Sequence, residues 1–126
     1  MRIAIGIYLL VHGFCHFVGF VVPWKIVTMK DEPYKTTLVV GSVDVGDVGI
    51  RIVGLLWLIA GVAFLAAALG VFASWSWWRT ATLWFAIASL VLCVLGLPGA
   101  KIGILANALI LAYLLGARFG WLPAVG

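Results

Sequence analysis

Four long apolar stretches constrain this chain more than any other feature. They run from about residue 3 to 22, 50 to 72, 81 to 97 and 102 to 119, each close to the roughly 20 residues an α-helix needs to cross about 30 Å of hydrocarbon. Of 126 residues, 66% are hydrophobic and 10% charged, whereas a soluble domain carries about 25% charged residues. So little polar material cannot cover even one small globule in water, and lipid is the solvent that removes the need. Backbone groups in lipid must pair within their own segment, which makes long apolar spans helical. The expectation is an all-α, integral membrane four-helix bundle forming a single membrane domain over residues 1–126. As a multi-pass protein of the cell membrane it would have the lipid bilayer as its partner and both termini on one side.

The first span follows Arg2, as a signal peptide would. Bulky Val21-Val22-Pro23-Trp24 offers no small-x-small cleavage pattern, so the span is read as retained. Residues 23–48 form the one long polar loop, within which Thr36 to Val40 fit a short strand or surface segment. Trp24, Trp75, Trp77, Trp78 and Trp121 fall at span ends, the expected interfacial belt, while Trp57 and Trp84 fall within spans. The net charge of +4 is dispersed, with no basic run that would make a nucleic-acid footprint. Lys and Arg fall at both ends of the bundle, and the compensating acids of the 23–48 loop tilt the reading toward termini inside.

Gly54, Gly61 and Ala68 recur every seven residues in the second span, and Thr82, Ser89 and Gly96 in the third. Where lipid supplies little drive between helices, such small-residue stripes allow close backbone approach. Gly99/Gly103 and Gly116/Gly120, each four apart, form GxxxG pairs at the two ends of the fourth span. They fit packing within the chain or a contact in a homo-oligomer.

The strongest chemical signal is His12-Gly13-Phe14-Cys15-His16. An ionisable group near a bilayer midplane is costly, so it needs a partner or a function. Residues four apart share a helical face, so Tyr8, His12, Cys15, His16 and Gly19 form one stripe expected to face the interior. Three uses of that stripe compete. The imidazoles bond to neighbouring helices as structural glue, or hold a metal or haem, or serve a quinone, lipid or proton-transfer site. For metal, His12 and His16 are the ligands, with Cys15 or Cys93 beside them. Both rings leave one face of one helix, so haem would need its opposite ligand from elsewhere. The cysteines lack a CxxC and are expected to be small buried residues.

Asn107 is the other polar side chain deep in a span. Asp44 and Asp47 resemble a capping pair for the second span, and Asp47 and Arg51, four apart, can pair on one face. These three would cap the helix or form a polar lid above the histidines. His16 lies one turn nearer that loop than His12, so it is expected to be partly hydrated or paired with one of those carboxylates. His12 is expected to be the more demanding of the two. No carboxylate lies within a span, no Ser-His-Asp arrangement is present, and two histidines are too few for a di-iron histidine box.

Arg51-Ile-Val-Gly-Leu-Leu-Trp-Leu-Ile-Ala-Gly61 and Lys101-Ile-Gly-Ile-Leu-Ala-Asn107-Ala-Leu-Ile-Leu111 resemble the second and fourth helices of small DoxX-like bacterial membrane proteins. The resemblance implies the four-span layout and a link to quinone-dependent oxidoreductases, and it assigns no residue a catalytic role. The expected function is the binding of an apolar or redox-linked ligand in a pocket bounded by His12, His16, Asn107, Tyr8, Asp44, Asp47 and Arg51. Neither a cofactor nor catalysis is specified. The rivals are a non-catalytic accessory subunit of a larger membrane complex, a metal- or haem-binding protein, and an oligomeric small-solute transporter.

Overall fold

The structure is a computed structural model that describes residues 1–125. Its regular secondary structure is helical apart from one small hairpin. Its elements are α1 (Arg2–His16), α2 (Val18–Val21), β1 (Thr37–Leu38), β2 (Val43–Asp44), α3 (Gly46–Phe72), α4 (Trp78–Leu95) and α5 (Lys101–Arg118). The break at Phe17 is one tight turn, in which its N–H reaches the carbonyl of Phe14 at 3.1 Å, and α1 and α2 form one rod. Four helices, counting Arg2–Val21 as one, are long and apolar enough to cross a membrane.

α3 begins at Gly46, earlier than the apolar pattern alone marks. Its start is set by Asp44, whose carboxylate accepts the Gly46 N–H at 3.0 Å and the Thr36 hydroxyl at 2.8 Å. One side chain thus satisfies a free helix N–H and closes the hairpin. β1 and β2 pair antiparallel, Thr37 opposite Asp44 and Leu38 opposite Val43. The turn between them places Val39 and Val40 at positive φ (51° and 57°), a conformation that β-branched residues rarely adopt. It is held from outside: Val39 and Val40 donate their N–H groups to the carbonyls of Leu95 and Leu97, at 2.9 and 3.2 Å. The hairpin is thereby pinned to the α4–α5 connection.

α1 packs on α3, α3 on α4, and α4 on α5. The small-residue stripes lie on these seams, with Gly54, Gly61, Ala68, Thr82 and Ser89 all buried. At the closest crossing, a Cβ on Gly61 would sit 2.9 Å from the Gly13 carbonyl oxygen, and one on Gly13 3.0 Å from that of Gly61. The two helices touch through their backbones. Leu9, Phe64, Ala67, Val71, Trp78 and Ala86 fill the core. Trp78 was expected in the interfacial belt but is 2% exposed. It opens α4 facing inward, while Trp75, Trp77 and Trp121 remain exposed.

Gly61→Leu is expected to force α1 from α3 and destabilise the fold by about 1–3 kcal/mol, the usual cost of overpacking. Ile59→Leu, on the exposed face of the same helix, is expected to leave stability unchanged. Thermal unfolding of both variants in one detergent checks this, and equal melting temperatures would refute it.

Candidate functional site: a hydrogen-bonded cluster beside a lateral cleft

α1 carries His12 and His16 into the bundle, α4 carries Ser89 and Cys93, and α5 carries Asn107. All five side chains are buried. His16 Nδ1 lies 2.8 Å from the carbonyl oxygen of His12. A carbonyl only accepts, so Nδ1 carries the proton and, in the neutral ring, Nε2 accepts. Its donor is the Ser89 hydroxyl, at 2.6 Å. Ser89 Oγ, its one proton spent, accepts from Asn107 Nδ2 at 2.8 Å. Asn107 Nδ2 also donates to the Gly103 carbonyl at 3.0 Å, and that contact fixes the orientation of the amide. Turned over, the amide would set two acceptors against each other. Asn107 Oδ1 therefore faces His12 Nε2, at 3.1 Å, and His12 must donate there.

The cluster is a directed ring that runs from His12 to Asn107, Ser89, His16 and back to the His12 carbonyl. Among the described residues no buried side-chain nitrogen or oxygen lacks a partner. Phe64 closes on both imidazoles, with ring centroids 4.7 Å from His12 and 5.2 Å from His16.

Beside the cluster lies a cavity of about 590 Å³. α1 supplies one wall with Tyr8, Val11, His12, Cys15 and His16, and α5 the other with Ile102, Gly103, Leu105, Ala106 and Leu109. Val53 and Trp57 of α3 stand behind, and Glu32, Pro33, Lys35 and Leu38 of the loop roof one end. Val11, Ile102, Leu105 and Leu109 are exposed, so the cavity opens on the flank of the bundle between α1 and α5. Tyr8 bridges that seam, donating its hydroxyl proton to the Ala106 carbonyl at 3.1 Å.

The structure brings together Tyr8, His12, His16 and Asn107, as the sequence suggests, with three differences. His16 is neither hydrated nor paired with a loop carboxylate. It is 2% exposed against 6% for His12, and its partners are Ser89 and its own helix. Cys15 is exposed on the cleft wall, and only Cys93 is buried. Asp44, Asp47 and Arg51 are not among the cleft-lining residues. Asp47 accepts from the Tyr34 hydroxyl, and Arg51 stands over the Trp24 ring, 5.7 Å from its centroid. Glu32 and Lys35, which no sequence pattern singled out, occupy the roof instead. Ser89 was visible only as one small residue in a packing stripe.

For a metal, both nitrogens of His16 are committed, leaving Nδ1 of His12 as the one free imidazole nitrogen of the pair. Among the described residues no three His, Cys, Asp or Glu side chains come together in a metal-binding group. The chain matches no protein-family model, no curated protein and no solved structure.

Ser89→Ala removes the donor to His16 and the acceptor of Asn107 together. It is expected to cost about 1–3 kcal/mol, the usual penalty for stranded buried polar groups. Cys93→Ala, which loses a 3.5 Å contact from Asn107 to sulfur and one buried sulfur atom's packing, is expected to cost less. Unfolding of the two variants side by side checks the order, and the reverse order would show that the ring is not the stabilising unit.

A second expectation concerns Asp44, outside the helices. The Gly46 N–H, and then the Thr36 hydroxyl, hold its carboxyl below the ordinary value of 3.8. A depressed carboxyl stabilises the hairpin above its unfolded-state pKa, and that contribution is lost as pH falls through the folded value. The Gly46 amide resonance should therefore titrate with a midpoint below 3.8; a midpoint at or above it would remove Asp44 from this role.

Proposed function

We propose that this chain is an integral multi-pass protein of the cell membrane, a four-helix bundle related to the DoxX-like proteins. On this reading, its lateral cleft binds an apolar, membrane-dissolved molecule of quinone or lipid type. The observation that carries the reading is the cleft itself. It is apolar along most of its walls, open on the flank where acyl chains would lie, and polar at two places, the inner wall where Tyr8 and His12 stand and the roof that carries Glu32 and Lys35. About 590 Å³ falls within the usual range of ligand cavities, about 300–1,000 Å³. A ligand arriving from the bilayer would keep its tail among Val11, Leu105 and Leu109 and bring its head to the polar wall.

One observation favours the rival reading, a non-catalytic accessory subunit whose polar groups serve as glue. The histidine–serine–asparagine ring is satisfied without any ligand. The two readings part at Ala106, which is half-buried on the cleft wall and outside the ring.

Protein purified in mild detergent is expected to retain a specific apolar molecule, identified by extraction and mass spectrometry. Ala106→Phe, which fills the cleft, is expected to lose it at an unchanged melting temperature. A wild-type protein that carries no molecule beyond bulk lipid would favour the accessory reading.

A further inference from the structure

The hydrogen-bond ring fixes more than stability, because it determines which polar atoms remain for a ligand. His12 Nε2 donates to Asn107 Oδ1, so in the neutral ring Nδ1 holds a lone pair and no proton. Among the described residues Nδ1 has no hydrogen-bond partner and is not sealed from the surface, and the cavity that His12 lines is the cleft. Tyr8, one turn away with its ring centroid 6.3 Å from that of His12, has already given its proton to Ala106. What its hydroxyl can still offer is a lone pair. The cleft's inner wall therefore offers two acceptors one helical turn apart, with the Glu32 and Lys35 side chains at the roof beyond them.

We infer that the cleft selects a ligand whose polar head is a hydroxyl donor, a hydroquinone or a lipid alcohol, and discriminates against the corresponding carbonyl form. The head's O–H donates to His12 Nδ1, and a second hydroxyl, where the head carries one, can donate to Tyr8 Oη. A carbonyl in that place would set its lone pairs against theirs. The ring enforces the choice from a distance, because the Gly103 carbonyl orients Asn107 and Asn107 orients the His12 proton. The inference rests on the cleft being a ligand site.

The test compares isosteric pairs bound to the wild-type protein in lipid nanodiscs. One arm uses an alkyl hydroquinone, kept reduced, against the quinone of the same skeleton. The other uses a long-chain secondary alcohol against its ketone. In the arm that matches the natural ligand the hydroxyl form is expected to bind about tenfold tighter, as sites built for one hydrogen-bonding partner reject the other. Tyr8→Phe is expected to keep the preference and weaken it by about threefold. His12→Leu is expected to abolish it, with helix content and melting temperature measured on the same sample. Equal binding of the two forms, or tighter binding of the carbonyl form, would overturn the inference and leave the cleft reading standing. Binding of no member of either pair would overturn both.

Discussion

A buried imidazole in an apolar bundle has to find its hydrogen bonds inside the protein, and two of them four residues apart have to find them together. That requirement organises this structure. His16 takes its donor from Ser89 on α4 and returns its own proton to the His12 carbonyl. His12 donates to Asn107 on α5, and Asn107 closes the circuit through Ser89. Three helices meet at one ring, and an unpaired member would be left in a medium with no water to satisfy it. The ring also explains how a cleft can persist. α1 leans on α3, and α5 leans on α4. Across the remaining seam the bundle is tied by His12 to Asn107 and by Tyr8 to the Ala106 backbone, so side-chain hydrogen bonds span a gap that has none of the close backbone packing seen between α1 and α3.

Much of this was legible in the residues. Four apolar windows marked four helices, each long and apolar enough to cross a membrane. The seven-residue recurrence of Gly54, Gly61 and Ala68 marked a packing face, and at Gly61 that face meets the α1 backbone at Gly13, because only small residues let backbones approach to van der Waals contact. The cost of burying His12 pointed it inward, toward Asn107. What the pattern could not carry was rotation about each helix to within one residue. Cys15 and His16 are adjacent in sequence and lie 100° apart on an ideal helix, so an inward His16 carries Cys15 to the cleft wall. Trp78 misled for a related reason. Tryptophan near a span end usually sits at the interface, but α4 begins one turn earlier than the apolar window, and its first turn faces the core.

The loop was the least legible part. Asp44, Asp47 and Arg51 read as a lid because they stand on one face at the mouth of a helix. In the fold each takes a local partner: Gly46 and Thr36 for Asp44, Tyr34 for Asp47, the Trp24 ring for Arg51. Asp44's partners lie two and eight residues away and cost little chain entropy to bring together; those of Asp47 and Arg51 lie 13 and 27 residues back along the same connection. The residues that do roof the cleft, Glu32 and Lys35, reach it through the course of a 23-to-45 connection that has no periodicity from which to read its path.

That roof bears on how a ligand would come and go. Val39 and Val40 hold a backbone conformation that costs on the order of 1–3 kcal/mol each, and such residues persist only where their surroundings over-determine them. Here the surroundings are the carbonyls of Leu95 and Leu97, which accept their N–H groups. Lifting the hairpin would break both bonds and expose the end of α4, so the roof is the stiff side of the cleft. The flank is the soft side. Outside the His12–Asn107 and Tyr8–Ala106 hydrogen bonds, the α1–α5 seam is lined by aliphatic side chains, Val11, Leu105 and Leu109 among them. Rotamer changes there are fast and cost far less than a pair of backbone hydrogen bonds. In the proposed function exchange would therefore run sideways, between the cleft and the bilayer, with the aqueous end shut. The bond most exposed to that traffic is Tyr8 to Ala106, which a passing hydroxyl can borrow without disturbing the ring behind it.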